Sequence, residues 1–466
     1  MSNNSVTYLI LLSTILISCA NKTDSPNFIF LLVDDQGWNG TSVQMMKSEN
    51  LSKSDYHETP NLETLASSGI KFSNAYSSAP VCAPSRYSIQ FGKSPARLNL
   101  IRVGMNSSHI AHHEMPSIPR ALKSINPLYV TAHFGKWGMG STPEIVGYDV
   151  SDGPNQNKEG GFDNGPEQWE CEIVEDPKNV YSLTNKALDF IEENSDKPFY
   201  LQISHYAVHA NIQATDSLYK KYNLKEKGRN QINPGFAAMT ESLDQSLGLI
   251  LKKINELNLA DNTYIIYMSD NGCVPNIPGA KKYGMSYNYP LSRGKWDAME
   301  GGVRVPLIIS GPGIDKGRES DIPVSGSDLL PTIVSLAGDD SFPLDEIDGG
   351  SFSDVLYSLN QFEIKRNVEG IFFHVPYRNG IALKRPHSAL IKGDYKLIKF
   401  HDNGEVQLYN LIDDIKESIN LSELEIDKAK NLEYLLDNYL KDVKAPKWQE
   451  GITWKDTPLE IINSYH

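Results

Sequence analysis

Cysteine is scarce, at 4 in 466 residues. So few thiols cannot staple a chain of this length, which excludes a disulfide scaffold and leaves each cysteine to be explained singly. Positive charge is short as well: 44 Lys+Arg stand against 58 Asp+Glu, a net charge of −14. Nucleic-acid binding draws most of its affinity from Lys and Arg neutralising phosphates, so DNA and RNA are excluded as partners. An anionic ligand must therefore meet a local basic pocket inside a repelling field. The chain also lacks internal repeats and low-complexity tracts, and its composition rules out collagen-like and disordered organisation. What is present is 40% hydrophobic and 22% charged residues. That composition can bury a large core, and the length allows two or three domains at about 100–200 residues each.

Only one long apolar run exists, Val6 to Ile17, too short for the roughly 20 residues that a bilayer span requires. It fits the h-region of a signal peptide over residues 1–18, and Leu16-Ile17-Ser18-Cys19 resembles a bacterial lipobox, which would make Cys19 a lipid attachment point. The n-region Met1–Ser5 carries no Lys or Arg, and ordinary signal cleavage nearby is the alternative. Either route predicts an exported protein. With the lipid, it would sit at the periplasmic face or surface of a Gram-negative cell and touch the membrane only through that anchor.

Beyond the leader, short β-rich apolar runs alternate with helical periodicity. Phe28–Val33 and Tyr264–Met268 are continuously apolar, as suits strands covered on both faces. Leu243, Leu247, Ile250, Ile254 and Leu257 recur at helical spacing. Further strands are expected at Phe199–Ile203 and Val305–Ile309. The prediction is a three-layer α/β/α domain over 25–345. After that the texture changes to short strands separated by Gly, Asp and Asn turns, then a helix striped by Leu432, Leu435, Leu436, Tyr439, Leu440 and Val443. Residues 346–466 are thus expected to form a smaller subdomain, an antiparallel sheet plus a closing helix.

Two of the apolar runs end in acids: Phe28–Val33 in Asp34-Asp35, and Tyr264–Met268 in Ser269-Asp270-Asn271-Gly272. Residues just past neighbouring parallel strands converge on one crevice. Three carboxylates there would repel one another without a cation, and with the Asn271 amide oxygen they suit a hard divalent metal such as Ca2+, which takes about 6–8 oxygen ligands.

Cys82-Ala83-Pro84-Ser85-Arg86 is the most specific string. It stands at a predicted helix start, where free N–H groups and the Arg86 guanidinium favour an anion. In combination with Gly135-Lys136-Trp137, His205-Tyr206-Ala207-Val208-His209, Ser269-Asp270-Asn271-Gly272, Arg293-Gly294-Lys295, Glu300-Gly301-Gly302-Val303-Arg304 and Gly393-Asp394-Tyr395-Lys396-Leu397, it resembles the type I sulfatases of the alkaline phosphatase superfamily. The resemblance runs from about Asn27 to Ser422. It implies that Cys82 is oxidised to formylglycine by a separate maturation enzyme, and that one Ca2+ is held by Asp34, Asp35, Asp270 and Asn271. It further implies that Arg86, Lys136, Lys295 and His209 clamp the sulfate and the leaving oxygen, and that Asp270 accepts the nucleophile's proton while His209 or Lys295 protonates the departing sugar. The family usually has His where this chain has Gly138, so either another base, His133, takes its role or turnover is impaired.

The resemblance to polysaccharide sulfatases implies a sulfated oligo- or polysaccharide, algal or glycosaminoglycan in type, such as ulvan or carrageenan. His374, Tyr377, Arg378, Arg385 and His387 are then expected to face the substrate, and His109, His112 and His113, whose spacing fits no zinc pattern, to form variable pocket wall. Cys171 and Cys273 either pair or stay free. Two other functions keep the same scaffold: a phosphoester or phosphonate-ester hydrolase, and a noncatalytic glycan-binding protein.

Overall fold

The computed structural model describes residues 25–279, 286–339, 343, 346–358, 363–378, 383 and 385–448. The leader over 1–18, Cys19 and residue 345, the expected end of the first domain, lie outside the described residues. Among the described residues no helix is long and apolar enough to cross a membrane.

Eight strands form the main sheet: β1 (Asn27–Val33), β2 (Ile70–Phe72), β3 (Val130–Gly135), β4 (Val150–Ser151), β5 (Phe199–Ser204), β6 (Thr263–Ser269), β7 (Leu307–Ser310) and β8 (Arg318–Ser320), in the order β8-β2-β7-β6-β1-β5-β3-β4. β1 lies parallel to β5 and β6 and is buried at every residue. Side chains alternate across a strand, and here both faces are covered. Ile29, Leu31 and Val33 join a core with α1 (Pro60–Ser67), whereas Phe28, Phe30 and Leu32 join the opposite core with α2 (Cys82–Phe91) and α3 (Ile118–Ile125). The first core also takes the apolar stripes of α4 (Val180–Glu193) and α5 (Pro234–Glu256), and the second that of α6 (Leu329–Leu336). The predicted α/β/α layering is therefore present, and it explains why β1 reads as an unbroken apolar run rather than an alternating one.

A second, antiparallel sheet contains β9 (Ile371–Val375), β10 (His387–Lys392), β11 (Tyr395–Phe400) and β12 (Val406–Asn410), in chain order. One of its faces, with Ile371, Phe373, Val375, Ala389, Ile391 and Ile398, packs on Tyr76, Ile101, Ala298, Met299 and Val303 of the larger body. The other, with Phe372, Leu390, Leu397 and Leu408, is roofed by Leu432, Leu436 and Tyr439 of α7 (Ile426–Asp442). Each such large side chain contributes about 1.5–3 kcal/mol by leaving water.

A fully buried ion network ties the two sheets. Lys396 of β11 contacts Glu300 at 2.9 Å and Glu417 at 2.8 Å, Arg304 contacts Glu300 at 2.5 Å, and Glu417 accepts from Ser292 Oγ (2.5 Å) and the Glu300 N–H (2.8 Å). Breaking a buried pair strands a charge and costs about 3–5 kcal/mol. Lys396→Met is therefore expected to lower the melting temperature by several degrees or more and to loosen the 292–304 segment; a calorimetric Tm equal to wild type would contradict this.

Candidate active site

Four neighbouring strands end at one level, with Val33 opposite Ser269, Leu32 opposite Ser204, and Gly135 opposite Ser204. The residues that follow them therefore meet: Asp34-Asp35 after β1, Asp270-Asn271 after β6, Lys136 after β3, and the turn to His209 after β5. The Asp34 N–H donates to Ala207 O at 3.0 Å, the Val208 N–H to Asp34 O at 2.7 Å, and the Asp270 N–H to Val33 O at 3.0 Å. Lys136 is seated by its N–H on Ser204 O at 2.8 Å. Gly135, at φ +93°, makes this closeness possible, because a Cβ there would lie 2.2 Å from Ser204 O.

Cys82 is the first residue of α2, after an extended Val81 that offers no side-chain cap. The free N–H groups of the first turn consequently face the crevice as an anion-favouring end. One turn on, Arg86 places Nε and a terminal nitrogen each 2.8 Å from Asp270 Oδ2, and its other terminal nitrogen 2.5 Å from Lys136 O. Lys136 Nζ sits 2.5 Å from Asp34 Oδ2, and Lys295 Nζ 2.6 and 2.8 Å from the two oxygens of Asp35. The Lys295 loop is pinned beside the start of α2, since the Trp296 N–H donates to Pro80 O (2.9 Å) and the Lys295 N–H to Cys273 O (3.0 Å). His209 donates from Nδ1 to Ala210 O (2.7 Å), so in its neutral form Nε2 carries the lone pair; it lies 3.4 Å from Asn157 Nδ2 and 3.7 Å from Asp35. Asp34, Asp35, Cys82, Arg86, Lys136, His209, Asp270 and Lys295 are all buried.

Burial first, then the neighbouring Asp34 charge, pushes Asp270 up to about 6. Burial works in the same direction on Asp34, but Lys136, His209, Arg86 and Lys295 outweigh it and hold that carboxyl below the usual range. Burial would lower Lys295, yet Asp35 above all keeps it beyond the ordinary lysine value. His209 is drawn down to about 4, by burial and then by Lys295. Asp34 Oδ1 and Asn271 Oδ1 are buried oxygens with no hydrogen-bond partner among the described residues. Asp34, Asp35 and His209, and likewise Asp34, Cys82 and Asp270, bring ligand atoms within 4.8 Å of one another. Unpaired oxygens beside crowded carboxylates fit a hard, oxygen-seeking cation such as Ca2+.

This constellation lies within a stretch, residues 26–339, matched by the sulfatase family profile; a second profile, described as N-sulphoglucosamine sulphohydrolase, C-terminal, matches residues 295–445. The chain belongs to the sulfatase family. It is 30% identical to the N-acetylgalactosamine-6-sulfatase of Canis lupus familiaris over 364 residues, 71% of this chain and 66% of that protein. It thus spans just under two thirds of that relative's length. The Ulvan-active sulfatase of Formosa agariphila is 26% identical over 467 residues, 91% of this chain and 84% of that one. Among solved structures, Ps i-CgsB in complex with k-i-k-neocarrahexaose superimposes with a TM-score of 0.72 at 25% identity, covering 91% of this chain and 94% of that chain.

Several residues of this sulfatase-family chain stand elsewhere than the sequence led us to expect. His133 was expected as a replacement base, but it is wholly buried, edge-on to Trp137 at 4.8 Å and Tyr148 at 5.6 Å, with Nε2 3.0 Å from Ser204 Oγ. Burial, then Arg86, pulls it down to about 3, too weak to accept a proton near neutrality. The position of Gly138 does point at the chemistry: a Cβ there would lie 3.0 Å from Arg86 Cδ and 3.7 Å from Lys136 Cε. It borders a cavity of about 170 Å³ lined also by Ala83, Pro84, Tyr87, Arg102 and Met105.

The five residues expected to face substrate have other partners. His387 Nε2 accepts the Ala298 N–H (2.9 Å), and Tyr377 OH donates to Ile101 O (3.3 Å). Arg385 pairs with Asp402 and Glu405, each at 2.9 Å. Arg378 stacks over Trp448, and His374 bonds Ser388 and Pro446 O, both at 2.6 Å. Of the other histidines, His109 contacts Leu98 O, His112 the Tyr87 hydroxyl and His113 Glu114, so they share no ligand point. Cys171 and Cys273 stay free. Sequence reasoning missed Asn157 and Phe162, which contact His209, and the buried Lys178, which donates to Gly160 O (3.0 Å) and is drawn down to about 7 by burial. None of the three lies in a motif.

Six buried histidines, His57, His133, His205, His209, His374 and His387, are drawn down to about 3 or 4, burial being the first cause in each. Because their folded values lie below the unfolded 6.5, the unfolded chain takes up more protons as pH falls below 6.5, and stability is lost from there to about pH 4. At pH 5 the loss is about 2 kcal/mol per histidine. Asp244, Asp270 and Asp297, raised by burial to about 6, 6 and 7, act oppositely, each regaining on the order of 1–3 kcal/mol between pH 7 and 5, but three do not balance six. Scanning calorimetry is expected to show Tm falling continuously from pH 6.5 to 4.5; a flat Tm would contradict it.

Proposed function

We propose that this chain is a sulfuric ester hydrolase that removes sulfate from a sulfated carbohydrate, an algal-type polysaccharide such as ulvan or carrageenan or its oligosaccharides. We propose also that it is exported and lipid-anchored through Cys19. The observation that carries the reading is the convergence of Cys82, at a helix N-terminus, with three cations and four oxygen ligands in one buried crevice of a sulfatase-family chain. When present, formylglycine at position 82, made by a maturation enzyme, would supply an attacking hydroxyl, and Ca2+ on Asp34, Asp35, Asp270 and Asn271 would supply Lewis-acid charge.

The chain's own side chains account for the remaining work. Arg86 and Lys136 hold the sulfate oxygens through charge-assisted hydrogen bonds in a dry site, where such bonds count most. Of the two carboxylates grouped with Cys82, each has a cation, Asp34 its Lys136 and Asp270 its Arg86, but Asp270 has the higher proton affinity and is the acceptor for the nucleophile's proton. Lys295 retains its proton while His209 does not, which supports Lys295 as the donor to the departing sugar oxygen.

Cys82→Ala is expected to abolish sulfate release, and Lys136→Ala to lower kcat about 10²–10³-fold, the usual cost of losing one preorganised donor. Both are to be read by released-sulfate assay on defined sulfated oligosaccharides, with circular dichroism confirming the fold. A folded Lys136→Ala protein with near-normal kcat would overturn the mechanism. Faster turnover of an aryl phosphate than of the matching aryl sulfate would move the assignment to phosphoester hydrolysis.

A further inference from the structure

His374, singled out in the sequence, does border a cavity, but not the one beside Cys82. Along β9 the odd-numbered side chains Ile371, Phe373 and Val375 face the larger body, while Phe372 and, by alternation, His374 face the α7 side. There His374, His401, Asp437, Lys441, Lys444, Lys447 and Trp448 line a half-open cavity of about 560 Å³, within the range of small-molecule sites. The polar wall is fully specified. His374 Nε2–H donates to Pro446 O, so Nδ1 accepts from Ser388 Oγ–H, and that oxygen accepts from His401 Nε2 at 2.7 Å. Both histidines are drawn down by burial, to about 3 and 4, so the charge of the cavity comes from its lysines.

Lys441, Lys444 and Lys447 are exposed and form no ion pair among the described residues. The one acid in the wall, Asp437, is already engaged by Lys399 at 2.6 Å. One lysine in the last turn would serve the helix dipole; three, continuing past the helix end at Asp442 to the cavity rim, exceed that need. Beside them Trp448 offers an aromatic face, with the Arg378 guanidinium 5.8 Å from its ring centre, and its buried indole N–H has no hydrogen-bond partner among the described residues. In a chain of net charge −14, this is an unpaired positive pocket with an aromatic wall. Ammonium groups recognise the sulfates and the indole a sugar ring.

Taking the substrate class as read above, we infer that this cavity is a second saccharide-binding site, which holds a sulfated stretch of polysaccharide on the face of the small sheet turned away from the reaction crevice. The test is native affinity electrophoresis of the full chain in gels containing carrageenan, desulfated carrageenan or inorganic polyphosphate. A Cys82→Ala/Lys136→Ala protein is expected to be retarded by carrageenan as strongly as wild type. Lys441→Ser/Lys444→Asn/Lys447→Ser is expected to weaken retardation at least tenfold, and Trp448→Ala severalfold, with unchanged thermal melts; desulfated polymer should not retard any of them. Retardation that survives the triple substitution, that disappears with Cys82 and Lys136, or that polyphosphate reproduces regardless of Trp448, would overturn the inference. Sulfate release from a sulfated monosaccharide, measured in parallel, separates the two readings: its absence with retardation intact defeats the hydrolase reading alone.

Discussion

Three carboxylates brought together in a dry crevice are the constraint on which the rest of this structure depends. Asp34, Asp35 and Asp270 follow two adjacent parallel strands in register, so their proximity is a consequence of the sheet itself. Like charges about 4 Å apart repel by roughly 4 kcal/mol per pair at an effective dielectric near 20. That repulsion shows in the raised proton affinity of Asp270. It is offset by one cation per carboxylate, each from a different element: Arg86 from α2, Lys136 after β3 and Lys295 from the loop before Glu300. The seating of that helix, that strand end and that loop is therefore a single electrostatic problem. The same cations that balance the carboxylates are the ones an anionic ester would draw on if a divalent ion held by those carboxylates were to take over the balancing.

The loop that delivers Lys295 has the least regular structure of the three, with Arg293 and Trp296 at positive φ, and it is held from outside the main sheet. Glu417 accepts from Ser292 and Glu300, Lys396 neutralises both glutamates, and His387 receives the Ala298 N–H. The small sheet thus acts on the chemistry at one remove. Its contribution to the crevice is the position of Lys295, and its buried ion pairs carry that position across the junction without presenting a side chain to the reacting atoms.

Much of this was legible in the chain. Phe28–Val33 and Tyr264–Met268 read as strands covered on both faces because every residue is apolar, and the acids at their ends could be assigned to one crevice because parallel neighbours end together. Cys82, Arg86, Lys136, His209 and Lys295 were named from motifs, and the structure brings them within reach of those acids. What failed was the inference from proximity in sequence to role. His133 lies three residues before Lys136, but strand geometry sends it between Trp137 and Tyr148 instead. His387, Arg385 and Tyr377 look like polar candidates in a loop-rich segment, and nothing local reveals that a backbone N–H, two acids and a carbonyl already occupy them. Asn157, Phe162 and Lys178 carried no pattern at all, since only the fold brings their loops to His209 and the crevice.

His374 shows how sharp the limit is. A one-residue shift in β9 would have put it on the Phe373 side, against the larger body, rather than under α7. The alternation sorts positive charge into two physical regimes. In the crevice the cations are buried and matched one for one with carboxylates, so their field is short-ranged, orientation-specific and little screened by salt. Lys441, Lys444 and Lys447 are exposed and unmatched, and their field reaches out to about a Debye length, roughly 8 Å at physiological ionic strength. A chain this acidic repels a polyanion at long range, so exposed, unmatched lysines are the feature that can first favour its approach. Matched, buried cations can act only once the ester has been desolvated. Attraction and chemistry thus ask for opposite treatments of the same side-chain type, and the small sheet, with one face sealed against the larger body and the other carrying α7 and the cavity at its end, separates them.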